Sequence, residues 1–144
     1  MHFVTRERIH IDRIATAWAI RRFIDPDATF EFVPRTRNLT AISGIPFDFR
    51  GVELGHHRGR CTLEALIDKY ELTDDALTRL ARIVRAADLP QDEPTPAVAP
   101  GVLAIFDGIR DDSENDAQRL ARGFVVCDAL YAYCAQTGEA AAEL

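Results

Sequence analysis

The fold is decided by the stretch HFVTRERIHIDRIATAWAIRRFIDPDATFEFV, residues 2–33. His2–Thr5 and Thr29–Val33 are rich in β-branched and aromatic residues, which predicts two short strands. Between them, apolar residues recur at helical spacing over Arg13–Phe23, and Asp12 is the predicted N-cap of that helix. A strand, a helix and a second strand in this order indicate two parallel strands with a helix packed on them.

The rest of the chain predicts one more strand and then only helices. We interpret 35–49 as a loop, Gly51–Leu54 as a third strand, and the proline-rich segment 90–100 as a connector. The predicted helices are Thr62–Tyr70, one capped by Thr73, Val102–Ile109, and a last one running from Ser113 as its cap to a stop at Gly138. We therefore predict an α/β fold, with a small, mostly parallel sheet in the N-terminal half and a helical C-terminal half.

Composition indicates a soluble protein, with residues 1–144 expected to form a single domain. Of its 144 residues, 47% are hydrophobic and 28% charged, and the net charge is −6. This charge argues against direct nucleic-acid binding. No apolar run is long enough to span a membrane, and the first residues lack the apolar core of a secretory signal. We expect a cytoplasmic protein with no membrane partner.

Arginine dominates the basic residues, since Lys69 is the only lysine among 17 of them. Guanidinium groups suit bidentate contacts with oxyanions such as phosphate or carboxylate. The alternative is a coding bias toward arginine that carries no function.

The first candidate site is His10-Ile-Asp12, immediately before the first predicted helix. If this segment is extended, residues two apart point to the same face, so both side chains could reach one ion. The carboxyl ends of parallel strands, where this pair lies, are where open α/β sheets bind ligands. The alternative is that Asp12 only caps the helix and His10 is an ordinary surface residue.

A second candidate is the pair His56-His57, after the third predicted strand. Adjacent side chains diverge in an extended chain, so one of the two is expected to face the site. Arg58 and Arg60 follow and precede a predicted helix, whose N-terminal amides could form an anion pocket with them. The alternative is a polar surface loop.

Four further acids are weaker candidates. Asp88 lies at the C-terminal end of a predicted helix, against the helix dipole, and a residue placed against its local preference suggests a function. Asp128 borders the apolar stripe of the last helix, where it could orient a metal-bound histidine or pair with an arginine. Glu64 lies in a first helical turn, where any acid is favoured. Asp48 is weaker still, because only its place before a predicted strand selects it.

Together these residues predict a divalent metal ion of the manganese or zinc class, since imidazole nitrogens and carboxylates are its usual ligands. The predicted ligands are His10, Asp12, His56 and Asp88, with Asp128 and Glu64 around them. The predicted contacts to a small oxyanion are Arg13, Arg58 and Arg60. No residue is assigned a catalytic role.

The residues of 10–25 resemble the opening of the C-terminal domain of the ChrB family of chromate-resistance proteins. Four later segments resemble that domain in the same order: Gly51–His56, Cys61–Glu64, Ile83–Asp88 and Asp128–Tyr133. The resemblance implies a role in chromate resistance, either sensing chromate or assisting its handling beside a transporter, and it specifies no reaction.

This chain departs from the ChrB pattern in two respects. Thr16-Ala17 stands where the family commonly has Cys-Pro before its tryptophan. ChrB regulators also carry an additional N-terminal half, and whatever DNA binding that half contributes is not expected of this chain.

The order of the motifs is also similar, more distantly, to that of DHH-type phosphoesterases, which bind manganese along the sheet edge. This likeness implies that His10 and Asp12 are first-motif ligands, that His56 or His57 is the third-motif ligand, and that Asp88 is the last.

Two acids of the DHH pattern are missing. Gly55 stands where an acid precedes the paired histidines, and Ile14 where the first motif has its second acid. A two-metal hydrolytic centre would lose ligands, whereas one metal could remain.

We expect a metal-binding domain associated with chromate resistance, which could also bind an oxyanion such as chromate. Two alternatives are a metal-dependent phosphoester hydrolase related to the DHH enzymes and a non-catalytic interaction module.

Overall fold

The computed structural model describes residues 1–89 and 95–143, and the side chains up to residue 137. Part of the predicted connector 90–100 therefore lies outside the described residues. The elements, in chain order, are β1 (His2–Arg6), α1 (Ile11–Ala19) with a π-helical turn (Ile20–Ile24), β2 (Thr29–Val33), a 3-10 turn (Leu39–Ala41), β3 (Ile45–Pro46), α2 (Thr62–Lys69), α3 (Asp75–Asp88), α4 (Ala99–Asp112) and α5 (Asp116–Glu143).

The three described strands form a parallel sheet in the order β2-β1-β3. Phe3 of β1 is in register with Phe30 on one side and Ile45 on the other. This arrangement confirms the predicted α/β class, because parallel strands need crossover connections, and α1 with its π-helical turn connects β1 to β2.

The third strand is not where the sequence predicts it. β3 consists of Ile45–Pro46, inside the segment expected to be a loop, and Gly51–Leu54 forms turns and bends. Gly51 has a φ of 82°, a left-handed conformation that an extended strand does not contain. Proline is tolerated in β3 because this strand lies at the edge of the sheet.

α1 and α3 have N-caps that differ from the predicted ones. His10 is the N-cap of α1, so Asp12 lies in its first turn. Asp74 is the N-cap of α3, since its side chain accepts a hydrogen bond from Leu77 N at 2.8 Å, and Thr73 precedes it. Asp12 is therefore not the N-cap of α1. Its carboxylate accepts hydrogen bonds from the first amides of α2 instead.

α4 is longer than predicted at both ends, and α5 begins and ends later in the chain than predicted. α4 covers Ala99–Asp112, and Ser113 is its C-cap rather than the N-cap of α5. The Asn115 side chain instead caps α5, because its Oδ1 accepts a hydrogen bond from the backbone amide of Gln118 at 2.8 Å. α5 continues past Gly138 to Glu143. Glycine ends a helix only where the chain adopts the left-handed conformation, and Gly138 remains helical.

α1 is the centre of the core. Eight of its nine residues are buried. It follows β1 in the chain and packs against α2, α3 and α5. The central position of α1 carries its first turn, with Asp12, into the interior.

None of the helices in the described ranges is long and apolar enough to cross a membrane.

The crossing of α1 and α5 depends on Gly123. A Cβ atom at this position would lie 2.3 Å from Ile14 Cγ2, and Ile14 is fully buried. We expect Gly123→Ala to lower the free energy of unfolding by about 1–3 kcal/mol through overpacking, as measured by urea denaturation.

Gly108→Ala is the matched control. Gly108 lies within α4, and nothing lies within 4 Å of an added Cβ, so alanine should raise stability by about 0.5–1 kcal/mol. Equal stability of the two variants would contradict the close α1–α5 contact.

Candidate metal centre

The Asp12 carboxylate joins the first turn of α1 to the N-terminus of α2. It accepts hydrogen bonds from the backbone amides of Thr62 at 2.9 Å and Leu63 at 3.1 Å. Only 3% of the Asp12 side chain is exposed. The two amides would otherwise lack an intrahelical partner, and the positive end of the α2 dipole favours the negative charge. Two helices therefore hold this carboxylate in a fixed position.

Three carboxylates converge on one nitrogen of His56. The His56 Nε2 atom lies 2.9 Å from Asp12 Oδ2, 3.4 Å from Asp48 Oδ1 and 3.4 Å from Asp88 Oδ2. One imidazole nitrogen carries at most one proton, so it cannot donate to all three acids at once. One ligand atom from each of Asp12, Asp48 and His56 lies within 4.8 Å of the others. These three ligand atoms are close enough together to share one cation.

Asp48 is the member of this cluster that the sequence analysis ranks lowest. It follows β3 and has a φ of 56°, with its amide donating to Leu54 O at 2.7 Å. Thr62 Oγ1 donates to its Oδ1 at 3.0 Å, and the Arg13 guanidinium lies 3.1 Å from its Oδ2. An aspartate just beyond the carboxyl end of a strand would have indicated a ligand. Because the third strand was predicted at Gly51–Leu54 and not at Ile45–Pro46, Asp48 was not recognised as such a residue.

The pKa values of the cluster report an excess of negative charge. The hydrogen bond with Asp12, together with the charges of Asp48 and Asp88, raises the pKa of His56 to about 9. Burial, and then repulsion from Asp12 and Asp48, raises the pKa of Asp88 to about 6. Burial and the charge of Asp12 also raise the pKa of Asp48. Without a further cation, the cluster retains protons instead.

His57 and His10 lie outside this group. His57 Nε2 lies 2.9 Å from the carbonyl oxygens of Val52 and of Glu53, so only His56 of the pair faces the carboxylates. His10 Nε2 lies 2.8 Å from Asp107 Oδ1 of α4. Because His10 is the N-cap and Asp12 lies within the helix, their side chains do not share a face as two residues of an extended strand would.

The predicted anion contacts are dispersed. Arg13 pairs with Asp48 within the cluster. Arg60 pairs with Asp68 and lies 3.6 Å from Glu64. Arg58 is exposed in a turn, with a φ of 53°. The α2 amides expected to complete this pocket donate to the Asp12 carboxylate instead.

Glu64 and Asp128 have partners of other kinds. Glu64 accepts the Cys61 amide at 3.0 Å and belongs to the capping box of α2. Asp128 accepts the Trp18 Nε1 hydrogen bond at 2.8 Å and lies 3.9 Å from Arg22. In the described part of the chain neither acid contacts His56.

Comparisons with known proteins give two matches. The family model described as "ChrB, C-terminal domain" matches residues 3–134. The curated relative "Protein ChrB" of Cupriavidus metallidurans is 35% identical over 133 residues, which cover 91% of this chain and 40% of that protein. The chain thus spans about two fifths of the length of this relative. The search of solved structures returned no match.

The Asp88 carboxylate should destabilise the protein when metal is removed by a chelator. The pKa of Asp88 in the folded protein is about 6, above the ordinary value of 3.8. The contribution of Asp88 to the free energy of unfolding is therefore most favourable below pH 4 and declines as the pH rises to 6. We expect Asp88→Asn to raise the melting temperature at pH 8 by about 2–5 °C. The gain should disappear near pH 4.

Asp112→Asn is the control, because the Asp112 side chain is 80% exposed on α4. A melting temperature of Asp88→Asn below that of the parent protein at pH 8, measured with chelator, would show that the three carboxylates do not repel one another.

Proposed function

The chain belongs to the ChrB C-terminal domain family, and from this premise we propose that it is a cytoplasmic chromate-resistance domain that binds a divalent metal ion. The proposed ligands are Asp12, Asp48, His56 and Asp88. The ion would in turn favour binding of an oxyanion such as chromate, a tetrahedral dianion, near this centre.

The observation that carries the proposal is the convergence of three carboxylates on His56 Nε2. Ligands that each lie about 2.0–2.2 Å from one ion are separated from one another by about 3.0–3.5 Å. The distances of 2.9 and 3.4 Å from His56 Nε2 to the carboxylate oxygens are close to that spacing. An ion would replace the single proton that now has to serve three acids.

The donor set fits an ion of the manganese or zinc class. Carboxylate oxygens and imidazole nitrogen are ligands for these ions, whereas copper(I) prefers sulfur. The ligands are also held from behind, since the α2 amides fix Asp12 and the Thr62 hydroxyl and Arg13 fix Asp48. Such outer contacts orient ligands and strengthen metal binding. The bound ion would supply positive charge; the residues supply its position.

The geometry favours one ion over the two-metal centre of a DHH-type hydrolase. A Cβ at Gly55 would lie 2.8 Å from the Phe49 carbonyl oxygen, so an acid does not fit there without a shift of the backbone. Ile14, at the other missing acid, is fully buried in the core. Phosphoester hydrolysis with added manganese is the assay for this alternative, and we expect none. The interaction-module alternative predicts a protein that binds no metal.

Metal binding should displace the His56 proton. The hydrogen bond with Asp12 and the neighbouring carboxylates raise the pKa of His56 to about 9, and burial with acid repulsion raises the pKa of Asp88 to about 6. We therefore expect release of about one proton per ion at pH 7.5. The affinity for Mn²⁺ or Zn²⁺ should fall about tenfold per pH unit between pH 8 and 6, and more steeply below 6. Isothermal titration in two buffers of different ionisation enthalpy measures both quantities.

His56→Ala should reduce the affinity for Mn²⁺ at least about tenfold, because it removes the only nitrogen ligand. His57→Ala is the matched control, since this neighbour faces two backbone carbonyls and should change the affinity less than about twofold. If the parent protein takes up no ion after purification in metal-containing buffer, as measured by elemental analysis, the proposal is wrong.

A further inference from the structure

We propose that the oxyanion binds in a basic cleft beside the metal centre, formed at the N-terminus of α1. The ligand class is a tetrahedral dianion such as chromate or sulfate. This inference rests on the oxyanion part of the proposed function and assigns it a place. The residues that line the cleft are Arg8, His10, Arg13, Arg35, Asp88, Arg110 and Asp111.

The cleft adjoins the proposed metal centre. It has a volume of about 580 Å³, ample for a four-oxygen anion. Two of its lining residues belong to the metal centre or contact it: Asp88 lies 3.4 Å from His56 Nε2, and Arg13 pairs with Asp48. An anion in the cleft would therefore lie near a bound cation, and each would favour the other.

Four arginines line the cleft, and three of them have acidic partners. Arg13 pairs with Asp48, and Arg110 lies 3.7 Å from Asp107. Arg8 and Arg110 share one partner, Asp111, at 3.7 and 2.9 Å. Arg35 is exposed and forms no ion pair or hydrogen bond with any residue that the structure describes. Its guanidinium is thus available for a bidentate contact with an oxyanion.

The N-terminus of α1 borders the cleft through His10 and Arg13. His10, its N-cap, makes no side-chain cap hydrogen bond, so no side chain in the described ranges serves the first amides of the helix. The N-terminus of α2 differs, because Asp12 accepts the amides of Thr62 and Leu63. Within the described residues, the first amides of α1 thus lack the carboxylate partner that the first amides of α2 have.

A pocket at Arg58 and Arg60 is a less favourable place for an anion than this cleft. An anion there would have to displace Asp12 from the α2 amides and compete with Asp68 and Glu64 for Arg60. Both losses oppose binding at α2, so the two positions make opposite predictions for arginine substitutions.

Sulfate is the probe, because it has the charge and shape of chromate without its oxidising chemistry. We expect sulfate to raise the melting temperature of the whole chain more than chloride at equal ionic strength. Titration calorimetry should give a dissociation constant that Arg35→Gln weakens at least about fivefold, through loss of a charge-assisted contact. The fold should survive, since Arg35 has no described partner to lose.

Arg37→Gln is the matched control. Arg37 is exposed in the same loop, carries the same charge and does not line the cleft, so its substitution should change sulfate binding less than about twofold. Arg58→Gln should also leave it within about twofold. Equal losses from Arg35→Gln and Arg37→Gln, or a loss confined to Arg58→Gln, would overturn the assignment.

Parallel titrations with and without Mn²⁺ separate this inference from the metal centre. Tighter sulfate binding in the metal-loaded protein supports both. Sulfate binding that requires Arg35 in a protein that binds no metal supports the cleft and rejects the metal centre. Metal binding without any sulfate-specific shift rejects the cleft and leaves the metal centre intact.

Discussion

The hydrogen bonds from the α2 amides to the Asp12 carboxylate are the interaction on which the rest of the site depends. A buried carboxylate is costly unless it is well hydrogen-bonded, and two amides at a helix N-terminus meet that need. The same bonds connect α1 to α2 and set where the chain between β3 and α2 can run. His56 and Asp48 lie on that chain, so their positions follow from the position of Asp12.

The carboxylate cluster is a local conflict in an otherwise consistent fold. Asp88 occupies the end of α3 where the helix dipole disfavours an acid, and burial and two neighbouring acids oppose its ionisation. Proteins accept conflicts of this kind mainly at functional sites. A bound cation would resolve it, which links the stability of the fold to occupation of the proposed site.

Opposite charges meet at the N-terminus of α1. Arg13 lines the basic cleft and pairs with Asp48 of the carboxylate cluster, and Asp88 belongs to both. This proximity would let one small region hold a cation and an anion together. Chromate is the anion proposed from membership of the ChrB family, of whose curated relative this chain spans about two fifths.

Local patterns in the sequence were sufficient for the strand–helix–strand start, the helical second half, and the selection of Asp12, His56 and Asp88. Periodicity and local charge preference act over a few residues, so they are visible in the chain itself. The partners of those residues were decided only by tertiary structure. Asp12 binds a helix fifty residues away, His10 faces α4, and Asp48 enters the cluster because β3 pairs at Ile45–Pro46. Such contacts depend on how the helices pack around α1, and no spacing along the chain encodes that packing.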